Sequence, residues 1–425
     1  MVKRVLMVAF HFPPLRGSSG IQRALKFAQY LPALGWQPLV LSAHPRAYAN
    51  QGPDQLAEIA PEAVVKRAFA LDSGRHLAWR GRYFGWTALP DRFAGWVLGA
   101  VPAGLSLVRN YRPQVIWSTY PVASATLIGL LLHKLTGLPW IADLRDPMTD
   151  DHYPRDPRVR AVALWIERRT VRNAALVVCT TPGAVATYTR RYPELPRSRF
   201  AVLENGYDEE NFRNAGNAAA PRAPGQPFTL IHSGIIYPSE RDPVPLFRAL
   251  AELKAAGAID ASQLRIVLRA TAHDDYVGAL LAEHGIADLV SLAPHIAYQA
   301  ALAEMLAADG LLVLQASNCN HQIPAKLYEY LRAGRPILAL TDSAGDTAAT
   351  LRAAGVDTIA ALDESEDIKR GLLHFLQLAR NGQAPLPAPA AVAAASRQAR
   401  TVQLARILDA VTVTAPLATD LTEEA

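Results

Sequence analysis

The chain has few cysteines, the residues that form the disulfides of small secreted domains and the thiolate ligands of metal sites. Its 425 residues include only two cysteines, Cys179 and Cys319, which are far apart and show no CxxC spacing. A disulfide framework and a cysteine-based zinc site are therefore not expected, and the composition suits a reducing cytosol. There is also no GxGxxG dinucleotide fingerprint.

Long hydrophobic runs are missing as well. The most apolar segment, Val122–Leu132, is well short of the roughly 20 residues that a membrane-spanning helix needs. The opening MVKRVLMVAFHFPP is basic and then apolar, as in a signal peptide, but it lacks a small-residue cleavage site and leads into a glycine loop. We interpret it as a first β-strand.

Charge is distributed unevenly along the chain. Residues 1–205 contain 26 Lys and Arg against 13 Asp and Glu, whereas the remaining residues contain 17 against 25. A basic half beside an acidic half indicates that the N-terminal half meets something anionic, such as a membrane surface, a lipid diphosphate or a nucleic acid. General arginine enrichment explains the same numbers without any partner.

Strand-like apolar runs alternate with helical periodicity through most of the chain, which predicts an α/β fold with two doubly wound, Rossmann-like domains. Pro, Gly, Ala and Asn dominate residues 214–227, the composition of a linker. We therefore predict five parts: an N-terminal domain (1–213), the linker (214–227), a C-terminal domain (228–395), a helix returning to the first domain (396–412) and a flexible tail (413–425).

One segment mixes basic and aromatic residues. RHLAWRGRYFGW, residues 75–86, contains four Arg or His and four aromatic side chains. Such a segment could stack on nucleic acid, lie at a membrane interface, or pack over its own domain as an ordinary long loop. The sequence leaves these alternatives open.

A charged turn follows a predicted strand in the first half. Asp143-Leu144-Arg145-Asp146-Pro147 places two carboxylates and a guanidinium where the strand ends. Functional sites often lie at the carboxyl ends of the strands of a parallel sheet. Arg145 could instead pair with Asp143 or Asp146 simply to hold the turn.

The stretch Val313–Leu340 is the most informative. It predicts a strand, a polar loop, a short helix over Ala325–Arg332 ending before Gly334, and a second strand. A helix N-terminus after a parallel strand favours an anion. Lys326 lies in the first turn of that helix and Glu329 one turn later, so a phosphate and a sugar hydroxyl could each find a partner.

Three motifs in this order resemble family 4 glycosyltransferases of the GT-B superfamily, of the bacterial exopolysaccharide type. They are the first strand with its proline–glycine loop and Arg23, the phrase ENGYDEENF (204–212), and PAKLYEYLRAGRPILAL (324–340). The resemblance covers the whole chain, and the last motif is the most specific. It implies two Rossmann-like domains facing each other across a cleft.

The resemblance also implies roles for individual residues. Glu329 would bind the ribose of the nucleotide, while the loop backbones and two basic side chains would meet the diphosphate of the donor. The donor-binding residues predicted in this way are Gly17, Gly20, Arg241, Gln322, Ile323, Lys326, Leu327 and Glu329.

Two positions depart from the family pattern. Ile235 stands where a basic residue usually follows the first glycine of the second domain, and Lys326 is our candidate to replace it. His321 stands where the family has a glutamate that contacts the transferred sugar. We predict that Arg145, Asp146 and His321 are catalytic, with Asp146 or the leaving phosphate taking the acceptor proton.

The resemblance implies a hexosyltransferase-like enzyme that uses a UDP- or GDP-sugar, with no cofactor and no metal. Expected partners are the donor, a lipid-linked or glycan acceptor and an anionic membrane surface for the basic half, but not nucleic acid. The protein would be cytoplasmic, with a peripheral position at the inner face of the cytoplasmic membrane as an option. A non-hydrolysing sugar-nucleotide epimerase and an inactive GT-B binding module are the alternatives.

Overall fold

The computed structural model describes residues 2–17, 20–53, 55–150, 153–216 and 225–414. The chain forms two compact units, one comprising Met1–Glu204 with Arg397–Ala425 and the other Asn205–Ser396. The division thus falls at Glu204, earlier than the residue 213 expected from composition. Residues 217–224 of the predicted linker lie outside the described residues.

The N-terminal unit contains a parallel seven-stranded sheet with the order β3-β2-β1-β4-β5-β6-β7. Its strands are β1 (Lys3–Val8), β2 (Trp36–Ala43), β3 (Val64–Ala68), β4 (Val115–Thr119), β5 (Trp140–Arg145), β6 (Leu176–Cys179) and β7 (Phe200–Val202). Its helices are α1 (Gly20–Tyr30), α2 (Ser73–His76), α3 (Trp96–Tyr111), α4 (Ala123–Thr136), α5 (Pro157–Asn173), α6 (Pro182–Arg191) and, from the chain end, α15 (Arg397–Thr414).

Side chains of β1 alternate between two cores, because successive residues of a strand point to opposite faces. Val5 and Met7 pack in the cluster that contains α1 and α15, whereas Leu6 and Val8 pack in the cluster that contains α3 and α4. Helices therefore cover both faces of the sheet, and the strands β2, β4 and β5 are almost wholly buried, as the continuous apolar runs predicted.

The C-terminal unit has a parallel six-stranded sheet with the order β10-β9-β8-β11-β12-β13. Its strands are β8 (Phe228–Ser233), β9 (Leu264–Arg269), β10 (Val290–Ala293), β11 (Gly310–Gln315), β12 (Ile337–Thr341) and β13 (Ile359–Ala360). Its helices are α7 (Glu209–Asn214), α8 (Val244–Ala255), α9 (Asp274–Glu283), α10 (Tyr298–Ala307), α11 (Lys326–Ala333), α12 (Asp346–Ala353), α13 (Ser365–Arg380) and α14 (Pro389–Ala394).

The predicted α/β class with two doubly wound sheets is confirmed, although one strand was overlooked. The sequence of residues 44–95 shows no clear strand-like apolar run, yet β3 pairs with β2 there. This edge strand includes Lys66 and Arg67 among its five residues, so its apolar signal is weak. At the other end, α15 extends to Thr414, and the rest of the predicted tail, from 415, lies outside the described residues.

A search of the described residues found no helix that is both long and apolar enough to cross a membrane.

Candidate active site

A buried ion pair organises the carboxyl edge of the first sheet. The Arg23 guanidinium of α1 donates to both carboxylate oxygens of Asp143 on β5, at 2.8 and 2.9 Å. The two side chains are 1% and 0% exposed. Arg23 also donates to the carbonyl oxygens of Leu203 and Glu204, and Thr119 Oγ1 donates to Asp143. The pair therefore ties the start of α1 to β4, β5 and the end of β7.

This pairing separates the two carboxylates of the Asp143–Asp146 turn. The hydrogen bonds of Asp143 come from Arg23 and Thr119. Arg145 instead adopts a left-handed backbone (φ 65°) at a register shift between β5 and β6, and its guanidinium donates to the carbonyl of Tyr120. Burial lowers the pKa of Arg145, and the positive charge of Arg23 adds to this effect.

Gly20 brings the first glycine loop close to this turn. A Cβ placed on Gly20 would lie 2.5 Å from His11 Nδ1 and 3.2 Å from a guanidinium nitrogen of Arg145. Only glycine allows this approach. Burial, with the charge of Arg145, lowers the pKa of His11 to about 4, so its ring is neutral near pH 7. Gly17 has a left-handed backbone (φ 77°) in the same loop.

Asp146 lies just beyond β5 and is half-buried. Its carboxylate accepts from Thr180 Oγ1 at 3.1 Å, and its N–H donates to the carbonyl of Leu144. The structure thus brings Gly20, Arg145 and Asp146 together at one edge of the N-terminal sheet. All three are predicted site residues.

In the C-terminal unit, the strand-following loop after β8 positions Arg241. The guanidinium donates to the carbonyl of Ile235 at 2.9 Å and lies 5.4 Å from the centroid of the Tyr237 ring. These contacts hold the arginine against the loop that begins at Gly234. Ile235, which replaces the usual basic residue, contributes its carbonyl to this arrangement.

His232 and Lys326 form a contact that the sequence did not reveal. His232 is fully buried on β8, and its Nδ1 lies 2.9 Å from the carbonyl oxygen of Leu312. A carbonyl only accepts, so Nδ1 carries the proton and Nε2 is free to accept. Lys326 Nζ, 3.0 Å away, donates to it. Burial lowers the pKa of His232 well below its ordinary value, and the charge of Lys326 contributes.

Gly234 lets Lys326 reach this position. A Cβ there would lie 2.8 Å from Nζ, and the backbone φ of 124° is one that other residues rarely adopt. Burial lowers the pKa of Lys326 well below that of an ordinary lysine; Arg241 acts in the same direction and Glu329 opposes it. An ammonium has three donors, and the bond to His232 uses one, which leaves two to bind an anion.

Glu329 lies one turn along α11 and is half-buried. Tyr298 Oη donates to Glu329 Oε1 at 2.7 Å, and this bond presets the carboxylate orientation. The opposite face of α11 fixes the helix in the core: Leu327 and Leu331 are buried, and Tyr330 Oη accepts from the N–H of Ser233 at 2.9 Å. The short helix is therefore positioned by β8 as well as by its own sequence.

The remaining predicted donor residues of this unit lie in the loop before α11 and in its first turn. Ile323 and Leu327 have buried side chains. The N–H groups of Gln322 and Leu327 already donate to the carbonyls of Cys319 and Pro324, and Thr347 Oγ1 donates to the carbonyl of Gln322. His321 is half-buried in the same loop. Its role in sugar binding stays a prediction.

The phrase ENGYDEENF has structural contacts. Glu204 forms an ion pair with Arg400 of α15, and Asp208 caps α7 by accepting from the N–H of Asn211. Glu209 pairs with Arg332 of α11 through two hydrogen bonds of 2.6 Å. These residues hold the stretch where the chain leaves one unit and enters the other.

No group of three or more His, Cys, Asp and Glu side chains suited to a metal ion occurs within the described part of the chain. Both cysteines are buried. The predicted site residues thus form two sets, each within its own unit: Gly20, Arg145 and Asp146 in the first, and Arg241, Lys326 and Glu329 in the second.

Comparison with known proteins places this geometry in a class. Residues 19–206 match the family model of the glycosyl transferase 4-like domain. No curated protein sequence matches the chain significantly. Sucrose-phosphate synthase from Thermosynechococcus elongatus has a similar structure, with a TM-score of 0.67 and 14% identity over 97% of this chain and 99% of that one.

Two further solved structures are similar over nearly their whole length. Anabaena HepE in complex with UDP-glucose has a TM-score of 0.60 and 15% identity over 96% of this chain and 99% of that one. A putative UDP-N-acetylglucosamine 2-epimerase from Listeria monocytogenes has a TM-score of 0.56 and 11% identity over 95% and 94%. At such identities the likeness shows the fold.

The two Rossmann-like sheets define a GT-B protein, as the sequence predicted. Residues 19–206, in the N-terminal part of the chain, match the glycosyl transferase 4-like domain, and the whole chain has the fold of the solved structures named above.

Proposed function

We propose that the enzyme transfers a sugar from a UDP- or GDP-sugar to a hydroxyl of a lipid-linked or polysaccharide acceptor during cell-surface polysaccharide biosynthesis. The observation that carries this proposal is the cluster of Lys326, Arg241 and Glu329 beside β8. It combines two cations with a preset carboxylate one helical turn away. This is the charge pattern that a nucleoside diphosphate requires.

In this proposal the diphosphate lies against Lys326 and Arg241, and Glu329 accepts from a ribose hydroxyl. Anabaena HepE, which shares the fold, has been solved with UDP-glucose, and that supports a nucleotide-sugar donor. His232 keeps the Lys326 ammonium in place through Nε2. Because the ammonium is partly stripped of water, its interaction with a developing phosphate charge is stronger than it would be in bulk solvent.

The reaction breaks the bond between the anomeric carbon and the diphosphate oxygen, which leaves with the electron pair. The acceptor oxygen forms the new bond to that carbon, and its proton passes to Asp146 or to the leaving phosphate. Thr180 holds the Asp146 carboxylate. We propose that the reaction retains the anomeric configuration and requires no metal ion. Lys326 and Arg241 would supply the positive charge that a metal ion would otherwise provide.

We further propose that the enzyme works in the cytoplasm, in peripheral contact with the inner face of the cytoplasmic membrane. The excess of 26 Lys and Arg over 13 Asp and Glu in residues 1–205 supports attraction to anionic lipids. Lipid-linked acceptors lie at that surface.

The test is a transfer assay with radiolabelled UDP- and GDP-sugars, each with and without a lipid-linked acceptor extract. Acceptor-dependent incorporation of label into lipid is the expected result. Conversion of a UDP-sugar alone into a second UDP-sugar would support an epimerase. The putative epimerase from Listeria monocytogenes has a fold similar to that of this chain. Donor binding without turnover on any acceptor would support an inactive binding module.

A further inference from the structure

The basic and aromatic segment forms a defined hairpin. The N–H of Trp79 donates to the carbonyl of Arg82 at 2.8 Å, and the N–H of Arg82 donates back to Trp79 at 3.0 Å. Arg80 and Gly81 between them both have positive φ, 50° and 76°. That combination is a type I′ turn, which fixes the direction of the flanking residues.

The base of this hairpin is anchored in the N-terminal unit. Asp72 is buried, caps α2 at Gly74, and accepts two hydrogen bonds from Arg92 at 2.7 and 2.5 Å. Ser73 Oγ donates to the carbonyl of Thr87 at 2.6 Å. The hairpin is therefore held at both ends by polar contacts, and its outward display follows from the fold.

The aromatic side chains of the hairpin point away from the core. Trp79, Phe84 and Trp86 are 79%, 73% and 72% exposed, and the Phe84 and Trp86 rings are stacked. Elsewhere in the same unit four tryptophans are fully buried (Trp36, Trp96, Trp117 and Trp140). The core thus accommodates indoles readily, and exposure of this group indicates a partner. The interpretation as a loop packed over its own domain is wrong.

The charged side chains within this segment are all positive. Arg75, Arg80 and Arg82 are exposed, and no acidic residue occurs between positions 75 and 86. Arginine beside tryptophan and tyrosine is typical of the interfacial region of a bilayer, where indole rings sit at the headgroups and guanidinium groups meet anionic lipid.

Aliphatic neighbours favour a bilayer over a nucleic acid. Leu77 on the hairpin is exposed, as is Leu98 on α3. The backbone of Gly99, next to Leu98, packs against Phe69, an exposed aromatic residue that precedes the hairpin in sequence. Aliphatic side chains gain nothing by stacking on bases, but they are stabilised among acyl chains.

We propose that the hairpin Leu77–Trp86 inserts its aromatic side chains into the headgroup region of an anionic phospholipid bilayer, with Arg80 and Arg82 bound to lipid phosphates. This deepens the proposed function, because it names the surface through which the enzyme reaches a lipid-linked acceptor. The hairpin belongs to the N-terminal unit, whereas Lys326 and Glu329 belong to the other unit of the chain.

The test is co-sedimentation of the full-length protein with vesicles of phosphatidylcholine alone or mixed with phosphatidylglycerol. Wild-type protein should bind the anionic vesicles, with a blue shift in tryptophan emission. The variant Trp79→Ser/Phe84→Ser/Trp86→Ser should lose at least about tenfold in partitioning, and Arg80→Ser/Arg82→Ser should lose a similar factor on anionic vesicles only. The matched control is Trp165→Ser/Arg169→Ser, an exposed tryptophan–arginine pair on α5, which should bind like wild type.

The proposal is overturned if the aromatic variant binds anionic vesicles as well as wild type, or if wild type binds neither vesicle. It is also overturned if the hairpin variants lose binding to a single-stranded oligonucleotide while vesicle binding is unchanged. Transfer to a detergent-dispersed acceptor should be the same for wild type and variants. Vesicle binding through the hairpin with no transfer of any sugar would refute the proposed function and leave the membrane surface standing.

Discussion

Nζ of Lys326 lies 3.0 Å from Nε2 of His232, and this contact joins the first turn of α11 to the last residues of β8. The histidine is neutral, because its Nε2 accepts a hydrogen bond from Lys326 while its Nδ1–H donates to the carbonyl of Leu312. Burial also lowers its pKa well below the ordinary value. A buried, neutral acceptor holds an ammonium and leaves its positive charge in place. A carboxylate in the same position would cancel that charge.

Replacing His232 with phenylalanine keeps a ring in the core but removes the acceptor for Lys326. We expect a rise in the donor KM that corresponds to about 1–2 kcal/mol, because a hydrogen bond to a charged group is lost, with a smaller effect on the acceptor KM. His232→Gln should recover part of the affinity, since its amide can both donate and accept. An unchanged donor KM in both variants, together with an equal loss of thermal stability, would indicate a purely structural histidine.

Donor binding should take up protons at alkaline pH. Burial lowers the pKa of Lys326 in the free enzyme, and a bound diphosphate raises it by favouring the charged form. Above the free-state pKa the complex therefore holds more protons than the free enzyme, and affinity falls as pH rises. Calorimetry with UDP in buffers of different ionisation enthalpy measures the uptake. Lys326→Met should abolish it, and a buffer-independent heat in wild type would contradict the assignment.

Glu329→Ala should weaken nucleotide binding by about 1–3 kcal/mol, the cost of leaving a buried polar partner unpaired. Calorimetric titration compares the nucleoside diphosphate with inorganic diphosphate, which lacks both base and ribose. If Glu329 binds the ribose, the variant should lose affinity for the nucleotide and keep its affinity for inorganic diphosphate. Tyr298→Phe should give a smaller loss, because it removes only the bond that orients the carboxylate. Glu283→Ala, at an exposed position on α9, is the matched control. Unchanged affinity in Glu329→Ala would remove the ribose role.

Arg23→Met should destabilise the N-terminal unit by about 3–5 kcal/mol, because it leaves the Asp143 carboxylate buried without its partner. All seven tryptophans lie in this unit, so tryptophan fluorescence during urea unfolding follows it selectively. Arg172→Met breaks the exposed pair with Glu194 and should leave the free energy of unfolding almost unchanged, because solvent screens exposed ion pairs. Equal shifts in the two variants would show that the Arg23 pair contributes no more than a surface contact.

The sequence predicted the local features of the site well where a short pattern determines them. The spacing of Leu327, Tyr330 and Leu331 predicted helix α11, and Lys326 and Glu329 do lie one turn apart on it. The edge strand β3 was overlooked because lysine and arginine interrupt its apolar run.

Contacts between distant residues were out of reach of such patterns. His232 belongs to an apolar strand, and nothing nearby in sequence shows that its ring meets a lysine 94 positions later. In the same way, Asp143 read as part of one cluster with Asp146, although Arg23, 120 positions earlier, takes both of its oxygens. The hairpin at Leu77–Trp86 had a clear composition, but only the three-dimensional structure showed that its rings are exposed.

The return of α15 to the first unit has a consequence during synthesis. Leu404 and Leu408 of this helix complete the core that contains Ile21, Leu25 and Trp36, yet they follow the whole of Asn205–Ser396 in the chain. At roughly 5–20 residues per second, the ribosome delivers them on the order of ten seconds or more after the rest of that core. Until then an apolar surface on α1 is uncovered, so the nascent protein is an expected client of chaperones that bind exposed hydrophobic segments.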